Sequence, residues 1–273
     1  MLTERTFDTG EVVINFAEGE TAGPPLVMLH GATLNWQTLG EFIPALEQQW
    51  HLFACDLRGH GKSGRSQRGY RVVDYVPDTA AFLERRVAKP AVLLGFSMGA
   101  NIALGVAAQR PDLVRALVLL DPSFMLRDLS LRAAPDAYDW VAWLSETLAA
   151  APTFDEIVAR CKSLSPEMDE AGAIGQATMV SGVDPKWVAW LLEDRIYDGF
   201  DLEEVLPRVA CPALLVRGER ELDSVIRDSD AALFEALVPH GKVVQVKGVG
   251  HGVIWGPPGQ VALGHVNEFL KTV

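Results

Sequence analysis

The spacing of short apolar runs along the chain is the feature that most limits its fold. Six such runs carry few or no charges: Leu26–His30, His51–Asp56, Ala91–Phe96, Ala116–Asp121, Ala213–Gly218 and Val243–Val246. Near-continuous apolar strands are buried on both faces, which is typical of a mostly parallel sheet covered by helices. Segments with helical periodicity lie between the runs: Leu39–Gln48, Val72–Val87, Met98–Gln109, Asp228–Leu237 and Gln260–Lys271. This order predicts an α/β fold with a doubly wound sheet, and the segments around Thr9-Gly10 predict an antiparallel hairpin at its edge.

The alternation of strands and helices stops between about Ser123 and Asp201. This span has helical stretches and no strand pattern, so it predicts an all-helical lid inserted after the sixth strand. We therefore divide the chain into a core, 1–122 with 202–273, and a helical cap, 123–201. Phe124 and four of the seven tryptophans lie in the cap and are candidates for an apolar substrate pocket. The four tryptophans are Trp140, Trp143, Trp187 and Trp190.

Composition narrows the possible partners. The 273 residues carry a net charge of −12, which argues against nucleic acid or an anionic membrane as a partner. Residues 90–109 form an uncharged stretch long enough to span a bilayer, but a buried strand followed by a buried helix explains it better. Cys55, Cys161 and Cys211 are far apart and predict three buried, reduced thiols. Since there is no CxxC or Cys/His cluster, we expect no metal, and we expect no cofactor. The N-terminus lacks the apolar segment of a signal peptide, so we expect a cytoplasmic protein.

One hydroxyl interrupts the most apolar part of the chain. Ser97 stands in G-F-S-M-G between a predicted strand and a predicted helix. Such a sharp turn strains the backbone of the central residue and lifts its side chain out of the sheet. Gly95 and Gly99 let strand and helix pass where a Cβ would clash. The pattern predicts that Ser97 is a nucleophile.

A serine nucleophile needs a general base, because its hydroxyl is weak at neutral pH. His251 follows the last predicted strand, at the edge where the carboxyl ends of the strands open. His240 lies in a turn, and His265 lies inside the last helix, where a packing role is expected. We predict His251 as the base.

The oxyanion formed during attack needs two hydrogen-bond donors. Met98 begins the helix after Ser97, so its N–H is one candidate. The loop after the third strand reads His30-Gly31-Ala32, and the Ala32 N–H is the second candidate. His30 itself is expected to be structural.

Four motifs in this order resemble the α/β-hydrolase family over nearly the whole chain. They are H-G after the third strand, DLRGHGKS at 56–63, GFSMGA and GVGHG. The resemblance implies the α/β-hydrolase fold, places the family's cap domain at the helical insertion, and gives the 56–63 loop a structural role. LVLLDPS at 117–123 and GVGHG also resemble a large set of cap-bearing bacterial hydrolases.

The chain departs from the family at the triad acid. The usual carboxylate follows the seventh strand, where this chain has Glu221 and Asp223 in RGERELDSVI. Some members, including certain haloalkane dehalogenases, place the acid after the sixth strand, where this chain has Asp121. A carboxylate ending an apolar strand needs a partner, because burying it alone is unfavourable. We favour Asp121 and keep Glu221 and Asp223 as alternatives.

These residues predict a serine esterase that cleaves a small apolar carboxylic ester or lactone through an acyl-enzyme. A carbon–carbon bond hydrolase or a cofactor-free perhydrolase would use the same triad. Gly252 weakens the first of these, because carbon–carbon hydrolases of the family often have tryptophan directly after the histidine. A ligand-binding receptor that reuses the fold is the alternative outside enzymes.

Overall fold

Eight strands form one sheet in the computed structural model, which describes residues 2–133, 135–150 and 152–273. The strand order is β1-β2-β4-β3-β5-β6-β7-β8. β1 pairs antiparallel with β2 and β2 antiparallel with β4, whereas every other pairing is parallel. The predicted edge hairpin and the mostly parallel, doubly wound sheet are therefore confirmed.

The strand bounds lie within two residues of the apolar runs. The strands are β1 Thr3–Asp8, β2 Val13–Glu18, β3 Pro25–Leu29, β4 His51–Cys55, β5 Ala91–Phe96, β6 Val114–Leu120, β7 Ala213–Arg217 and β8 Gly241–Gln245. All residues of β3 and β5 are buried, as expected for strands covered on both faces.

Ten α-helices accompany the strands in the described residues. They are α1 Ile43–Leu46, α2 Val72–Phe82, α3 Met98–Gln109, α4 Pro135–Ala149, α5 Phe154–Leu164, α6 Glu170–Ser181, α7 Pro185–Leu192, α8 Leu202–Val205, α9 Asp228–Leu237 and α10 Gly256–Leu270. The bounds of α3 and α9 agree with prediction, and the predicted 72–87 helix is α2 continued by a π-helical turn over Leu83–Val87. The helix predicted over Leu39–Gln48 is wrong in extent: a 3₁₀ turn over Trp36–Leu39 precedes α1, and a turn over residues 40–42 separates the two. α10 begins four residues early, since prolines are tolerated in a first turn.

Helices α4 to α7 all come from the span between β6 and β7. α4 packs against α7, and α5 packs against α6. The segment after α7 returns to the core, where the Val72 N–H donates to the Ile196 carbonyl at 2.7 Å.

The loop after β4 holds this helical span. The Asp184 N–H donates to the Gly59 carbonyl at 2.8 Å, and the Tyr70 hydroxyl donates to the Asp184 carboxylate. The loop is itself fixed by Asp56, which accepts hydrogen bonds from Asn15, Trp36 and Lys62. These contacts give the 56–63 motif a structural role.

The cysteines are free, as predicted. Cys55 and Cys161 are buried, but Cys211 is partly exposed, so the prediction of three buried thiols is wrong for that residue. In the described part of the chain, no helix has the length and apolar character needed to cross a membrane. The uncharged 90–109 stretch consists of β5 and α3.

Two glycines let α3 lie directly against the sheet. A Cβ at Gly95 would approach the Gly99 carbonyl oxygen to 2.4 Å, and a Cβ at Gly99 would approach the Leu29 carbonyl oxygen to 2.3 Å. Both obstacles are backbone atoms, which cannot rotate away as a side chain could. The predicted close passage of strand and helix is confirmed.

We expect Gly99→Ala to lower the free energy of unfolding by about 1–3 kcal/mol or more, because the new methyl group overpacks a rigid contact. Urea unfolding followed by circular dichroism measures this. Gly264→Ala is the matched control, since Gly264 is exposed in α10 and a Cβ there meets nothing within 4 Å. The control should leave stability unchanged or raise it by up to about 1 kcal/mol. Equal stability of the two variants would contradict this account.

Candidate active site

The strands β3, β5 and β6 end at the same edge of the sheet. Ser97 follows β5, Asp121 follows β6, and His30 follows β3. The Ser97 N–H donates to the Leu120 carbonyl at 2.9 Å, and the Asp121 N–H donates to the Val216 carbonyl at 2.7 Å. These bonds continue the strand pairing one residue beyond the strands and fix both backbones to the sheet.

Ser97 occupies a strained turn. Its φ is 52° and its ψ is −117°, a region that non-glycine residues rarely adopt. The residue caps α3, so the helix N–H groups begin beside its side chain. The side chain is buried within the protein yet lines a cavity. This is the elbow geometry that G-F-S-M-G predicts.

His251 connects Ser97 with Asp121. Its Nε2 lies 3.1 Å from Ser97 Oγ, and its Nδ1 lies 2.7 Å from Asp121 Oδ2. An ionised carboxylate can only accept, so Nδ1 carries the proton and Nε2 accepts from the serine hydroxyl. The imidazole is thereby held in the tautomer that can remove a proton from Ser97.

The loop after β7 supplies donors to Asp121, which is fully buried. Oδ1 accepts from the Gly218 N–H at 3.0 Å and from the Ser224 hydroxyl at 2.7 Å. Oδ2 accepts from the Val225 N–H at 3.1 Å as well as from His251. A buried carboxylate needs such partners, and four are present.

The alternative acids lie elsewhere. Glu221 and Asp223 are both exposed, and neither forms a hydrogen bond or ion pair with His251 among the described residues. Their loop instead supports Asp121 from outside. The structure thus brings Asp121, and not these two, to the histidine.

Glycines allow the loops after β7 and β8 to touch. A Cβ at Gly218 would approach the Gly250 carbonyl oxygen to 2.0 Å, and a Cβ at Gly250 would approach the Leu222 carbonyl oxygen to 1.4 Å. Gly250 directly precedes His251. The backbone contact therefore sets how close His251 comes to Asp121.

Aromatic rings surround His251. Its imidazole stacks on Phe96, with ring centroids 4.8 Å apart and planes inclined by 27°. Trp255 meets the same phenyl ring edge to face at 5.6 Å. Phe96 precedes Ser97, so one turn positions both the hydroxyl and the surface on which the imidazole rests.

The two predicted oxyanion donors belong to residues that line the Ser97 cavity, Ala32 and Met98. Gly31 lies close to Ser97, because a Cβ there would approach Ser97 Cβ to 3.1 Å. His30 is structural: its Nε2 accepts from the Leu57 N–H at 2.9 Å, and its Nδ1–H donates to the Gly31 carbonyl. Burial lowers the pKa of His30 to about 4, so the ring stays neutral.

The cavity above Ser97 has a volume of about 290 Å³. It is lined by Ala32, Thr33, Leu34, Phe96, Ser97, Met98, Ser123, Met125, Leu126, Leu131, Ala137, Trp140, Val141, Trp187, Leu191, Ile196, Tyr197, Val225, His251 and Trp255. The lining comes both from the sheet edge and from the helical span. None of these described residues is Asp, Glu, Lys or Arg, and most are apolar.

Of the predicted pocket residues, Trp140 and Trp187 line this cavity. The other three are corrected. Trp143 stacks behind Trp140 with ring centroids 5.0 Å apart, and Phe124 is buried in the core. Trp190 packs against Tyr70 and lies under the Arg195 guanidinium. Helical periodicity could not separate the face toward the cavity from the faces toward neighbouring helices.

The sequence analysis missed several contributors to the site. Ser224 and Val225 bind Asp121, Trp255 lines the cavity, and Tyr197 reaches it from the segment after α7. For these residues the sequence offers one indirect signal. The glycines of GVGHG indicate that this loop passes close to another backbone segment, which is the loop after β7. In the described residues, no group of three or more His, Cys, Asp or Glu side chains is placed to hold a metal ion.

The sequence is similar to those of known hydrolases over most of the chain. A 2-(acetamidomethylene)succinate hydrolase of Mesorhizobium japonicum is 27% identical over 97% of this chain and 94% of its own length. A pimeloyl-[acyl-carrier protein] methyl ester esterase of Xanthomonas oryzae is 27% identical over 88% of this chain and 92% of its own.

The fold is also similar to that of a solved hydrolase structure. The crystal structure of an E-2-(acetamidomethylene)succinate hydrolase superposes with a TM-score of 0.76 at 25% identity, covering 99% of this chain and 100% of the other. The model of the α/β-hydrolase fold family matches residues 24–258. With the sheet order and the Ser97 elbow described above, the match shows that the chain belongs to the α/β-hydrolase fold family.

Proposed function

We propose that the protein is a serine hydrolase that cleaves a neutral carboxylic ester or lactone through an acyl-enzyme on Ser97. The observation that carries the proposal is the hydrogen-bonded series Ser97–His251–Asp121 at the wall of an uncharged cavity. A nucleophile, a base and a group that orients the base are the three parts that acyl transfer requires.

In the first half-reaction, Ser97 Oγ attacks the substrate carbonyl carbon while His251 Nε2 takes the hydroxyl proton. The carbonyl oxygen becomes an anion, which the N–H groups of Met98 and Ala32 stabilise by hydrogen bonds. The carbon–oxygen bond to the alcohol then breaks, and the His251 Nε2–H protonates the leaving oxygen. For a lactone the alcohol stays attached to the acyl chain.

In the second half-reaction, water attacks the acyl-enzyme. His251 Nε2 removes a proton from the water, and the same two N–H groups hold the second tetrahedral oxyanion. Collapse releases the carboxylic acid, and the proton returns to Ser97 Oγ. Asp121 remains ionised and stabilises the imidazolium that forms in each half.

The cavity favours neutral substrates. A carboxylate moved from water into a cavity without a positively charged side chain loses hydration that nothing replaces. The Xanthomonas relative is an ester hydrolase by name, which supports ester chemistry. The Mesorhizobium relative is named for a succinate derivative, and succinate is a dicarboxylate. The uncharged lining argues that this chain accepts a different substrate.

We further propose that 123–201 acts as a cap that shapes this cavity. Trp140, Val141 and Leu191 supply wall residues from α4 and α7, and Tyr197 does so from the segment behind them. Substrate size would then depend on how these helices pack.

We expect Ser97→Ala to lose about 10⁴–10⁶-fold in kcat on 4-nitrophenyl butanoate, because the nucleophile and base act as a unit. Release of 4-nitrophenol measures turnover, and thermal unfolding checks the fold. Ser181→Ala is the control, since this exposed serine ends α6 and does not line the cavity. Near-normal turnover in the Ser97 variant would exclude it as nucleophile.

We expect Asp121→Asn to lose about 10³–10⁴-fold in kcat/KM. The amide Nδ2 would face two donors, the Val225 N–H and the His251 Nδ1–H, and would favour the wrong imidazole tautomer. Glu221→Gln and Asp223→Asn remove exposed carboxylates and should each change kcat/KM less than about tenfold. A large loss in either, with normal activity of Asp121→Asn, would reverse the assignment of the acid.

The uncharged cavity predicts discrimination by charge. Ethyl butanoate should be hydrolysed with a kcat/KM at least about 100-fold above that of monoethyl succinate, because only the second must desolvate a carboxylate. Titration of released acid at constant pH measures both. Equal rates would show that a positive charge reaches the substrate, contrary to this proposal.

A further inference from the structure

A polar cluster interrupts the apolar cavity wall. Asn101 Nδ2 donates to Ser123 Oγ at 2.9 Å and to the Tyr197 phenol oxygen at 3.3 Å. Ser123 Oγ and the Tyr197 hydroxyl are also hydrogen-bonded to each other. Asn101 and Ser123 are buried, while Ser123 and Tyr197 line the cavity. The mechanism above uses none of the three.

Counting protons leaves one hydroxyl donor unused. Asn101 Nδ2 faces both hydroxyl oxygens, and an amide nitrogen can donate to them but accepts no proton from either. Whichever hydroxyl donates in the Ser123–Tyr197 bond, the proton of the other has no partner among the described residues. Burial raises the pKa of the Tyr197 phenol to about 12, so it stays protonated at neutral pH. Asn101 Oδ1 is likewise buried and unpartnered in the described residues.

The cluster lies close to the nucleophile. Asn101 is four residues after Ser97, and its N–H approaches the Ser97 carbonyl oxygen at 3.4 Å. Ser97, Ser123 and Tyr197 all line the same cavity, whose volume is about 290 Å³. A substrate atom at the cluster would therefore be only a few bonds from the scissile carbonyl carbon.

We propose that the Ser123–Tyr197 hydroxyl pair binds a neutral oxygen atom of the substrate, located a few bonds from the scissile carbonyl. The inference rests on the proposed ester hydrolysis and names its substrate class: esters or lactones with a second, hydrogen-bond-accepting oxygen on an otherwise apolar skeleton. An unused donor in an apolar wall favours substrates that place an acceptor oxygen beside it. A substrate with a methylene group at that position leaves the donor unpaired.

The second oxygen can lie on either side of the ester, and paired substrates separate the two cases. On the acyl side, 4-nitrophenyl methoxyacetate is compared with 4-nitrophenyl butanoate, which has a methylene group in place of the ether oxygen. On the alcohol side, 2-methoxyethyl butanoate is compared with butyl butanoate. The readout is the ratio of kcat/KM for the ether substrate to kcat/KM for its methylene partner. Comparing this ratio between proteins cancels the intrinsic reactivity of each ester.

The double variant Ser123→Ala/Tyr197→Phe removes both hydroxyl protons. We expect it to lower the ratio about 3–10-fold relative to the unsubstituted protein in one of the two pairs, the effect of one neutral hydrogen bond. Each single variant leaves one hydroxyl, so Ser123→Ala or Tyr197→Phe alone should lower the ratio less. The single variants also keep the test decisive if the double variant fails to fold.

Tyr138→Phe is the matched control, since Tyr138 lies on α4 outside the cavity lining and its ratio should stay within about twofold. Turnover by the double variant with an unchanged ratio in both pairs would overturn this inference alone. The cluster would then have only a structural role, connecting α3 with the helical span. Absence of turnover on all four esters would overturn the proposed function, and this inference with it.

Discussion

The buried Asp121 carboxylate is the group on which the rest of the site depends. It ends β6, receives hydrogen bonds from the loop after β7, and holds His251 from the loop after β8. Three segments distant in sequence therefore meet at one side chain. Because the strands are parallel, their carboxyl ends meet at one edge, and the same edge presents Ser97. The sheet positions the residues, and the carboxylate fixes the orientation of the His251 imidazole.

The cavity combines two opposite environments. Its wall is mostly apolar and uncharged. In the proposed reaction, such a wall would strengthen the hydrogen bonds made to the developing oxyanion. Against this background the hydroxyls of Ser123 and Tyr197 stand out, because a polar group in an apolar wall is unfavourable unless it is paired. The helical span brings Tyr197 to the core, and the loop after β4 anchors that span through Gly59 and Asp184. Under the proposed function, substrate selectivity therefore depends on how the helical span packs on the sheet.

Much of this could be predicted from the sequence, because the signals were local. Apolar runs gave the strands, and the glycines around Ser97 gave the elbow, since both depend on neighbours a few residues away. The prediction of Asp121 rests on a physical argument: an isolated carboxylate ending a buried strand requires a partner, and Asp121 has four. The remaining contacts join residues far apart, such as Ser224 with Asp121 across 103 positions and Tyr197 with Ser123 across 74. Helical periodicity does not reveal such pairs. For the same reason it could not show that Trp143 and Trp190 lie outside the cavity lining.

The most direct test of the account is covalent trapping of the nucleophile. A neutral 4-nitrophenyl alkylphosphonate ester should add one phosphonyl group per chain, release one equivalent of 4-nitrophenol and abolish ester hydrolysis. Intact-mass and peptide mass spectrometry should place the adduct on Ser97. A stoichiometric adduct on another residue, or ester hydrolysis that continues after Ser97 is fully modified, would contradict the central claim.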